Sequence, residues 1–318
     1  MTNEKTKQKK TLPKIVQPLL VLVGLIVILS VLSPSFLTMS NLMNVLRQVS
    51  VNGMIAAGLT LVILTGGIDL SVGSILAFSG AVTALLLQRQ MPLAVALVAG
   101  LGVGVVFGLV NGTLVTRAKV QPFIGTLVSM MFLRGATLVL TDGKPIAIPR
   151  EGNEMLNWFG RGDIFGIPVP MILTLIVFAV LYYVLSQTRY GRHLYAVGGN
   201  EKAARLAGVD TKKTQAIAYL ICGITAFMAG VIVTSRLSSA QPTAGEGYEM
   251  DAIAAVVLGG TSMTGGQGTI PGTLIGVLIM GVLNNALNLM NVPSYYQQIA
   301  KAVIILIAVL LDRKKQAE

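Results

Sequence analysis

Continuous apolar runs, separated by short polar segments, are the feature that most constrains what this chain can fold into. At 1.5 Å per residue each run makes a helix that reaches across much of a bilayer, whereas barrel strands would alternate apolar and polar residues. Only 12% of the 318 residues are charged, which is about half the share in a soluble domain. We therefore expect an all-α integral membrane protein, not a soluble enzyme, a disordered chain or a disulfide-stabilised domain.

The apolar runs predict about ten transmembrane helices. The first follows five lysines and is similar to a signal peptide, but no A-x-A-like cleavage site follows it, so we expect an uncleaved helix. The eighth is too short to cross fully and is interrupted by Gly259 and Gly260, which indicates a half-helix or a re-entrant segment. The predicted helices cover residues 16–32, 45–64, 70–88, 92–115, 121–140, 170–186, 214–235, 251–264, 269–290 and 297–311.

The basic residues predict the orientation of these helices. With the N-terminus in the cytoplasm, the cytoplasmic segments hold sixteen Lys and Arg and the external segments hold five. Because Lys and Arg are enriched on the cytoplasmic side of membrane proteins, we expect both termini to be cytoplasmic. The chain is then divided into a basic cytoplasmic tail at 1–14, one transmembrane domain at 15–312 and a cytoplasmic tail at 313–318. Within the transmembrane domain, we expect an external loop at about 141–169 and a basic cytoplasmic loop at about 187–213.

The net charge of +11 has the same explanation. The basic residues lie between apolar runs and form no single patch, so we expect membrane lipid, not nucleic acid, beside them. Cys222 is the only cysteine and His193 the only histidine, which excludes an intramolecular disulfide and gives no basis for a zinc site. No catalytic constellation is present, so we do not expect an enzyme.

Two stretches of the chain indicate an internal repeat. Residues 108–114 read G-L-V-N-G-T-L and residues 281–287 read G-V-L-N-N-A-L. Asp69 lies 42 residues before the Asn of the first stretch, and Asp251 lies 33 residues before the first Asn of the second. In the predicted topology the two Asp lie on opposite sides of the membrane, so the halves would form an inverted repeat, as in many transporters. The alternative is a chance similarity between apolar segments.

A short helix is predicted in the cytoplasmic loop. Asn200 is a favourable N-cap, Glu201 complements the positive end of the helix dipole, and Gly208 is a favourable left-handed stop. So short a helix is not stable alone and needs a surface on which to lie. It is either a docking helix for a cytoplasmic partner or part of an ordinary basic loop at the lipid headgroups.

The same loop carries a recognisable pattern. Residues 202–208, K-A-A-R-L-A-G, resemble the E-A-A-x-x-x-G coupling loop of ATP-binding-cassette (ABC) importer permeases, although Lys202 stands where the pattern has Glu and Glu201 lies one place earlier. Four further segments resemble the monosaccharide permease family of these importers. They are Gly66–Ser74, Ala196–Glu201, Arg236–Gly245 and Leu258–Ser262.

This resemblance implies the permease of an ATP-driven, binding-protein-dependent sugar importer in the bacterial inner membrane, with D-ribose as the expected sugar. It implies three partners: a second permease copy in a homodimer, a cytoplasmic ABC ATPase and an extracytoplasmic sugar-binding protein. The sequence contains no G-x-x-x-x-G-K-[ST] motif, so we expect no cofactor on this chain and ATP with Mg²⁺ on the ATPase. The residues expected to couple the chain to the ATPase are Asn200, Glu201, Lys202, Ala203, Ala204, Arg205, Leu206 and Gly208.

An ion-coupled secondary sugar transporter or facilitator is the alternative function. It would need no ATPase partner. Proton or sodium coupling uses carboxylates inside the membrane, and Asp69 and Asp251, both near helix ends, are the only candidates.

Neutral amides inside the apolar runs are the candidates for a sugar pathway. A sugar that leaves water needs such hydrogen-bonding partners, although amides in membrane helices also bond neighbouring helices. Aromatic residues make up only 6%, which predicts no stacking platform and a conduit of low affinity. The candidates are Gln48, Asn52, Asn111, Asn284, Asn285 and Asn288.

The charged residues in or near the helices differ in their expected roles. Asp69 either caps the third helix, in competition with Ser71, or acts as a gate or partner contact. Arg47 and Lys301 lie near helix ends, from which their side chains can extend to the interface, and Arg134 is expected to face a helix interface or pathway. The glycine-rich stretches 100–112 and 265–281 permit close helix contacts, either sliding or static.

Overall fold

The structure is a computed structural model that describes residues 15–149 and 153–317. The predicted tail at 1–14 and Arg150 of the external loop lie outside these residues. The helices are α1 (Val16–Leu32), α2 (Met39–Leu64), α3 (Val72–Gln88), α4 (Leu93–Thr116), α5 (Pro122–Thr141), α6 (Glu154–Arg161), α7 (Val169–Gln187), α8 (Arg189–Gly199), α9 (Glu201–Leu206), α10 (Thr211–Leu237), α11 (Tyr248–Leu258), α12 (Ile270–Leu289) and α13 (Ser294–Ala317). The strands are β1 (Ile146–Ala147), β2 (Asp163–Ile164), β3 (Ile167–Pro168) and β4 (Ser239–Ala240).

A helix lies at each of the ten positions that the apolar runs predict, with ends that differ by at most six residues. The largest differences have local causes. Helix α2 starts early because Oγ1 of Thr38 accepts a hydrogen bond from the backbone N–H of Asn41 at 3.4 Å. Helix α11 ends at Leu258 because Gly260, with φ +86°, turns the chain away. Helix α13 continues through the predicted tail to Ala317, since no Gly or Pro interrupts it.

Within residues 15–149 and 153–317, six helices are long and apolar enough to cross a membrane, namely α2, α4, α5, α7, α10 and α12. Helices α1 and α3 are also apolar, with 17 residues each. Helix α11 has 11 residues and so reaches about 16 Å, half of the hydrocarbon core, as its sequence predicts. Val98 and Val139 are 68% and 85% exposed on α4 and α5, and lipid covers such apolar surface favourably. The chain is a multi-pass membrane protein.

Helix α2 forms the centre of the molecule and is buried on all sides from Val49 to Thr65. Helices α7, α10, α11 and α12 pack around it. Helix α4 packs on the outer side of α10 through a ridge of buried glycines at every fourth position. A Cβ at Gly104 would lie 2.6 Å from the carbonyl oxygen of Gly223. The two backbones therefore touch, which supports close packing as the role of the glycines in 100–112.

One end of the molecule, which we call the α6 end, is closed by the segment between α5 and α7. Strand β1 pairs antiparallel with β4, directly after α10. Helix α6 packs on the same part of α10, and Nε of Arg161 donates to the carbonyl of Arg236 at 2.8 Å. A hairpin of β2 and β3 then leads into α7. The segment 141–169 and the segment after α10 consequently lie at the same end.

The opposite end, which we call the α9 end, is built from α8, α9 and the segment 259–269. Helix α8 was not predicted, because its residues form a mixed basic sequence. The phenol of Tyr195 donates to the carbonyl of Gly268 at 2.8 Å, and that of Tyr190 donates to the carbonyl of Thr214 at 3.2 Å. Burial raises the pKa of both phenols, which keeps them protonated as donors. Helix α8 thereby connects α10 with the segment between α11 and α12.

Candidate functional site

Helix α9 has the ends that its sequence predicts. Oδ1 of Asn200 accepts the backbone N–H of Ala203 at 3.0 Å, which confirms the N-cap. Gly208 has φ +84°, and beyond it the N–H of Val209 bonds back to the carbonyl of Ala204 at 3.0 Å. The left-handed stop is therefore confirmed as well.

Side chains at one edge of α9 fasten it to the start of α10. Glu201 accepts from Arg205 at 2.7 Å and from the hydroxyl of Thr211 at 3.2 Å, and Arg205 also reaches Thr211 at 3.3 Å. Thr211 is the first residue of α10. Glu201, which stands one place before the Glu of the family pattern, is thus hydrogen-bonded to residues of its own chain. Through these bonds it joins α9 to α10.

The opposite face of α9 is open. Lys202, Ala203 and Leu206 are exposed, and Leu206 is 90% exposed although it is apolar. Ala204 is 5% exposed and faces the rest of the chain. Of the alanine pair, only Ala203 is therefore available to a partner at close range. The open face of α9 therefore presents one apolar side chain, Leu206, beside the small Ala203.

Asp69 belongs to a buried polar network between α3, α4 and α5. Its Oδ1 accepts the backbone N–H of Ser71 at 2.9 Å and the Ser71 hydroxyl at 2.6 Å. Asn111 donates to the Ser71 hydroxyl at 2.8 Å, and its own Oδ1 accepts the hydroxyl of Ser129 at 2.6 Å. Asp69 thus bonds the backbone at the start of α3, while Ser71 makes no side-chain cap bond. Asp69 therefore orders the turn that precedes α3, and its role as a gate or partner contact stays a prediction.

Five of the six predicted pathway amides lie around two adjoining cavities near the α6 end. The larger, of about 670 Å³, is lined by Gln48, Asn285 and Asn288 among others. The smaller, of about 200 Å³, is lined by Gln48, Asn52 and Asn284 among others. Both cavities also share Arg236. The sixth amide, Asn111, lies elsewhere. It is fully buried in the Asp69 network, in the C-terminal part of α4.

Asn285 shows that some of these amides bond neighbouring helices. It exchanges two hydrogen bonds with Asn41 of α2, at 2.7 and 3.0 Å. The pair fastens the C-terminal part of α12 to the start of α2. Asn288 accepts from Gln297 of α13 at 3.0 Å. These side chains bond neighbouring helices and also line the larger cavity, and their role in a sugar pathway stays a prediction.

Lys301 has a partner that its sequence did not indicate. Its Nζ lies 2.8 Å from Oδ2 of Asp251 on α11, and the extension of its side chain to the interface stays a prediction. The two side chains are 25% and 8% exposed, so the pair is largely buried. The available signal was that a buried charge inside a membrane protein needs a partner of opposite charge. Arg134 faces protein as expected, since it donates to the carbonyl of Ala244 at 2.6 Å.

Arg236 and Asn41 were not predicted as site residues. Arg236 lines both cavities from the end of α10, and Asn41 lines the larger one from the start of α2. Both lie at helix ends, where polar residues are ordinary, so their local sequence carries no signal. The described residues contain no group of three or more His, Cys, Asp or Glu that could hold a metal ion.

Comparisons with known proteins identify the family of the chain. Residues 41–309 match the family model described as "Branched-chain amino acid transport system / permease component". The chain is 54% identical over 299 residues to the ribose import permease protein RbsC of Escherichia coli (strain K12), with 94% of this chain and 93% of that protein covered. It is 53% identical over 300 residues to RbsC of Bacillus subtilis (strain 168), with the same 94% and 93% covered.

A permease of another transport system is also similar. The D-allose transport system permease protein AlsC of Escherichia coli (strain K12) is 42% identical over 295 residues, with 92% of this chain and 90% of AlsC covered. These matches extend over nearly the whole chain and include both the α9 end and the α6 end. The chain therefore belongs to the family of transport-system permease components and is a homologue of the ribose import permeases.

Proposed function

We propose that this chain is the membrane permease of an ATP-driven, binding-protein-dependent importer of D-ribose in a bacterial inner membrane. The observation that carries the proposal is the 54% identity to a ribose import permease over 94% of the chain. The exposed face of α9 supports it, since a permease driven by ATP needs a contact through which an ATPase can act. As such a permease, the chain is a transport subunit and not an enzyme.

Three partners complete the proposed importer. A cytoplasmic ABC ATPase binds ATP and Mg²⁺, because this chain has no phosphate-binding motif of that kind. An extracytoplasmic binding protein delivers the sugar to the α6 end, where the two polar cavities lie. A second copy of this chain completes the pore as a homodimer, as the family resemblance implies.

Helix α9 is the proposed coupling element. Ala203 and Leu206 enter a groove on the ATPase, and Lys202 lies at its edge. The bonds from Glu201 and Arg205 to Thr211 pass the displacement of α9 into α10. Helix α10 in turn packs on α2 and α4. ATP binding can shift the pore between its inward and outward states only if the ATPase has different affinities for the two positions of α9.

We further propose ten membrane segments with both termini cytoplasmic, of which α11 crosses only half of the bilayer. The single transmembrane domain extends over 15–312. The pairing of β1 with β4 supports this order, because it places the loop 141–169 and the segment after α10 at one end. The segments 187–213 and 259–269 lie together at the other end, as ten segments require.

The inverted repeat belongs to the same proposal. In the first half, Asp69 and Asn111 share one hydrogen-bonded network near the α9 end. In the second half, Asp251 and Asn284 line one cavity near the α6 end. The two Asp and Asn pairs thus occur at opposite ends of the molecule, which supports an inverted relation more than chance similarity.

Cysteine labelling tests the orientation. On a Cys222→Ala background, Lys144→Cys is expected to react with a membrane-impermeant thiol reagent in intact cells, and Lys202→Cys only in inside-out vesicles. Lys144 is an exposed residue in the segment of the α6 end, and Lys202 is exposed on α9. The parental chain without cysteine is the control. Labelling of Lys202→Cys in intact cells would contradict the proposed orientation.

Reconstitution tests the transport function. The permease, its ATPase and its binding protein are assembled in liposomes, and uptake of labelled D-ribose, D-allose, L-arabinose and D-galactose is compared. We expect ribose to accumulate only when ATP and the ATPase are present. Uptake that persists without ATP and collapses with a proton ionophore would instead support an ion-coupled transporter.

A further inference from the structure

The smaller cavity near the α6 end has the walls of a binding site. Its volume is about 200 Å³, below the range of about 300–1,000 Å³ that holds drug-sized ligands and suited to a single sugar ring. Five helices, α2, α10, α11, α12 and α13, contribute to its lining. The polar and aromatic side chains that line it are Gln48, Asn52, Arg236, Tyr248, Asp251, Asn284, Gln297 and Lys301.

Asn284 carries an unused acceptor in this wall. The residue is only 4% exposed, and its Oδ1 has no hydrogen-bond partner. A buried carbonyl oxygen without a donor is unfavourable, and native proteins rarely retain one without a reason. Asn284 lines the cavity although Oδ1 itself is buried, so a rotation of its amide would bring the oxygen to a ligand hydroxyl group, which would supply the missing donor.

The Asp251 and Lys301 pair supplies two charged anchors beside Asn284. The pair joins Nζ of Lys301 to Oδ2 of Asp251 at 2.8 Å, and both residues line the cavity. A carboxylate accepts from sugar hydroxyls and an ammonium donates to them, and such charge-assisted bonds are about twice as strong as neutral ones. Tyr248 adds one aromatic ring to the lining.

The other half of the chain provides an internal comparison. Asn111 occupies the position that corresponds to Asn284 in the repeated stretch. Its amide is fully used, since it donates to Ser71 and accepts from Ser129. Protein groups therefore fill the first location, whereas the corresponding location at Asn284 retains a cavity and an unused acceptor. Packing of the bundle alone does not require that difference.

We infer that this cavity is a binding site on the permease for one neutral monosaccharide during transport. Asn284, Asp251 and Lys301 bind its hydroxyl groups, and Tyr248 contacts its ring. The sugar arrives through the larger cavity, of about 670 Å³, which shares Gln48 and Arg236 with the smaller one. The inference rests on the proposed sugar-import function and adds to it a place where the permease itself recognises the sugar.

Protection of a cysteine from labelling tests the site. Gln48→Cys on the Cys222→Ala background is placed in the permease and ATPase complex, without binding protein, and reacted with a small thiol reagent. Ribose is expected to slow the reaction saturably, about tenfold at ten times the half-protecting concentration, because only the sugar-free protein reacts. The measurement is made without nucleotide and with a non-hydrolysable ATP analogue, so that both states of the pore are sampled.

Two controls make the result specific. Asn44→Cys lines only the larger cavity of the two and should not be protected. Sucrose has the same hydroxyl chemistry but is too large for the smaller cavity and should protect neither cysteine.

A pair of alanine variants tests the contact with Asn284. Asn284→Ala should raise the half-protecting ribose concentration at least about tenfold, as loss of a good polar contact does, whereas Asn288→Ala, one turn along the same helix, should not.

The outcomes separate the site from the transport function. No protection by ribose in either nucleotide state, or equal protection by sucrose, would overturn the site. The same complexes, with binding protein added, are assayed for ATP-driven ribose uptake. Uptake without protection removes the site and keeps the function, whereas protection without uptake removes the proposed function and keeps a sugar site.

Discussion

Leu206→Asp is expected to abolish ATP-driven sugar uptake while the permease still folds and inserts into the membrane. Leu206 is 90% exposed at the end of α9, so the substitution removes little contact within the chain. In the proposed importer the same side chain is buried against the ATPase, where a charge would lie in an apolar groove. Loss of a central interface contact costs about 2 kcal/mol or more, or roughly thirtyfold in affinity.

The measurement is ATPase co-purification with the permease, together with uptake in the reconstituted importer. Leu206→Met is the matched control, because it keeps an apolar side chain of similar volume and should retain both activities. Ala204→Trp is a less specific test, since Ala204 is 5% exposed and a large ring there would displace α9 from its own chain. Normal uptake by Leu206→Asp would exclude α9 from the coupling mechanism.

The second large effect is expected when a side chain is added at one glycine of α4. Gly104→Val should prevent accumulation of folded permease, whereas Gly102→Val, half a turn away on the same helix, should be tolerated. A Cβ at Gly104 would lie 2.6 Å from the carbonyl oxygen of Gly223 and 3.0 Å from Cβ of Phe227. A Cβ at Gly102 would meet no atom within 4 Å. Backbone cannot yield as a flexible side chain does, so the overpacking costs about 3 kcal/mol or more.

The two variants carry the same change in helix propensity, and their difference therefore reports the contact between α4 and α10. Folded yield and thermal unfolding of the purified chain in detergent are the measurements. Equal stability of the two variants would show that α4 and α10 do not pack through Gly104. The contact would then not contribute to the close packing that small residues provide between membrane helices.

The positions of the helices were predictable because the signals are local. The apolar run that ends near Ser235 predicts α10, whose last residue is Leu237. Asn200 and Gly208 predict both ends of α9, since capping depends on a few neighbouring residues. The resemblance of residues 202–208 to a coupling loop likewise needs only the sequence.

The partners of the polar side chains were not predictable in the same way. The sequence placed Lys301 near a helix end but did not indicate its partner, and its ammonium pairs with Asp251, fifty residues earlier. Asn111 and Asn284 have similar local sequences, yet one is enclosed in a hydrogen-bonded network and the other lines a cavity with an unused oxygen. Whether such an asparagine is enclosed in a network or lines a cavity depends on the neighbouring helices and not on its own local sequence.

The sequence by itself thus determined that the chain lies in a membrane, approximately where its apolar helices lie, and that residues 201–206 form a capped short helix. Hydrophobic runs and helix caps act over a few residues, so one segment contains the whole signal. Only the tertiary structure decided that α2 is the buried centre and that Asp251, Asn284 and Lys301 line one cavity. Packing in a bilayer brings together side chains that are far apart in the chain, and the hydrogen bonds of a buried polar group depend on those neighbours.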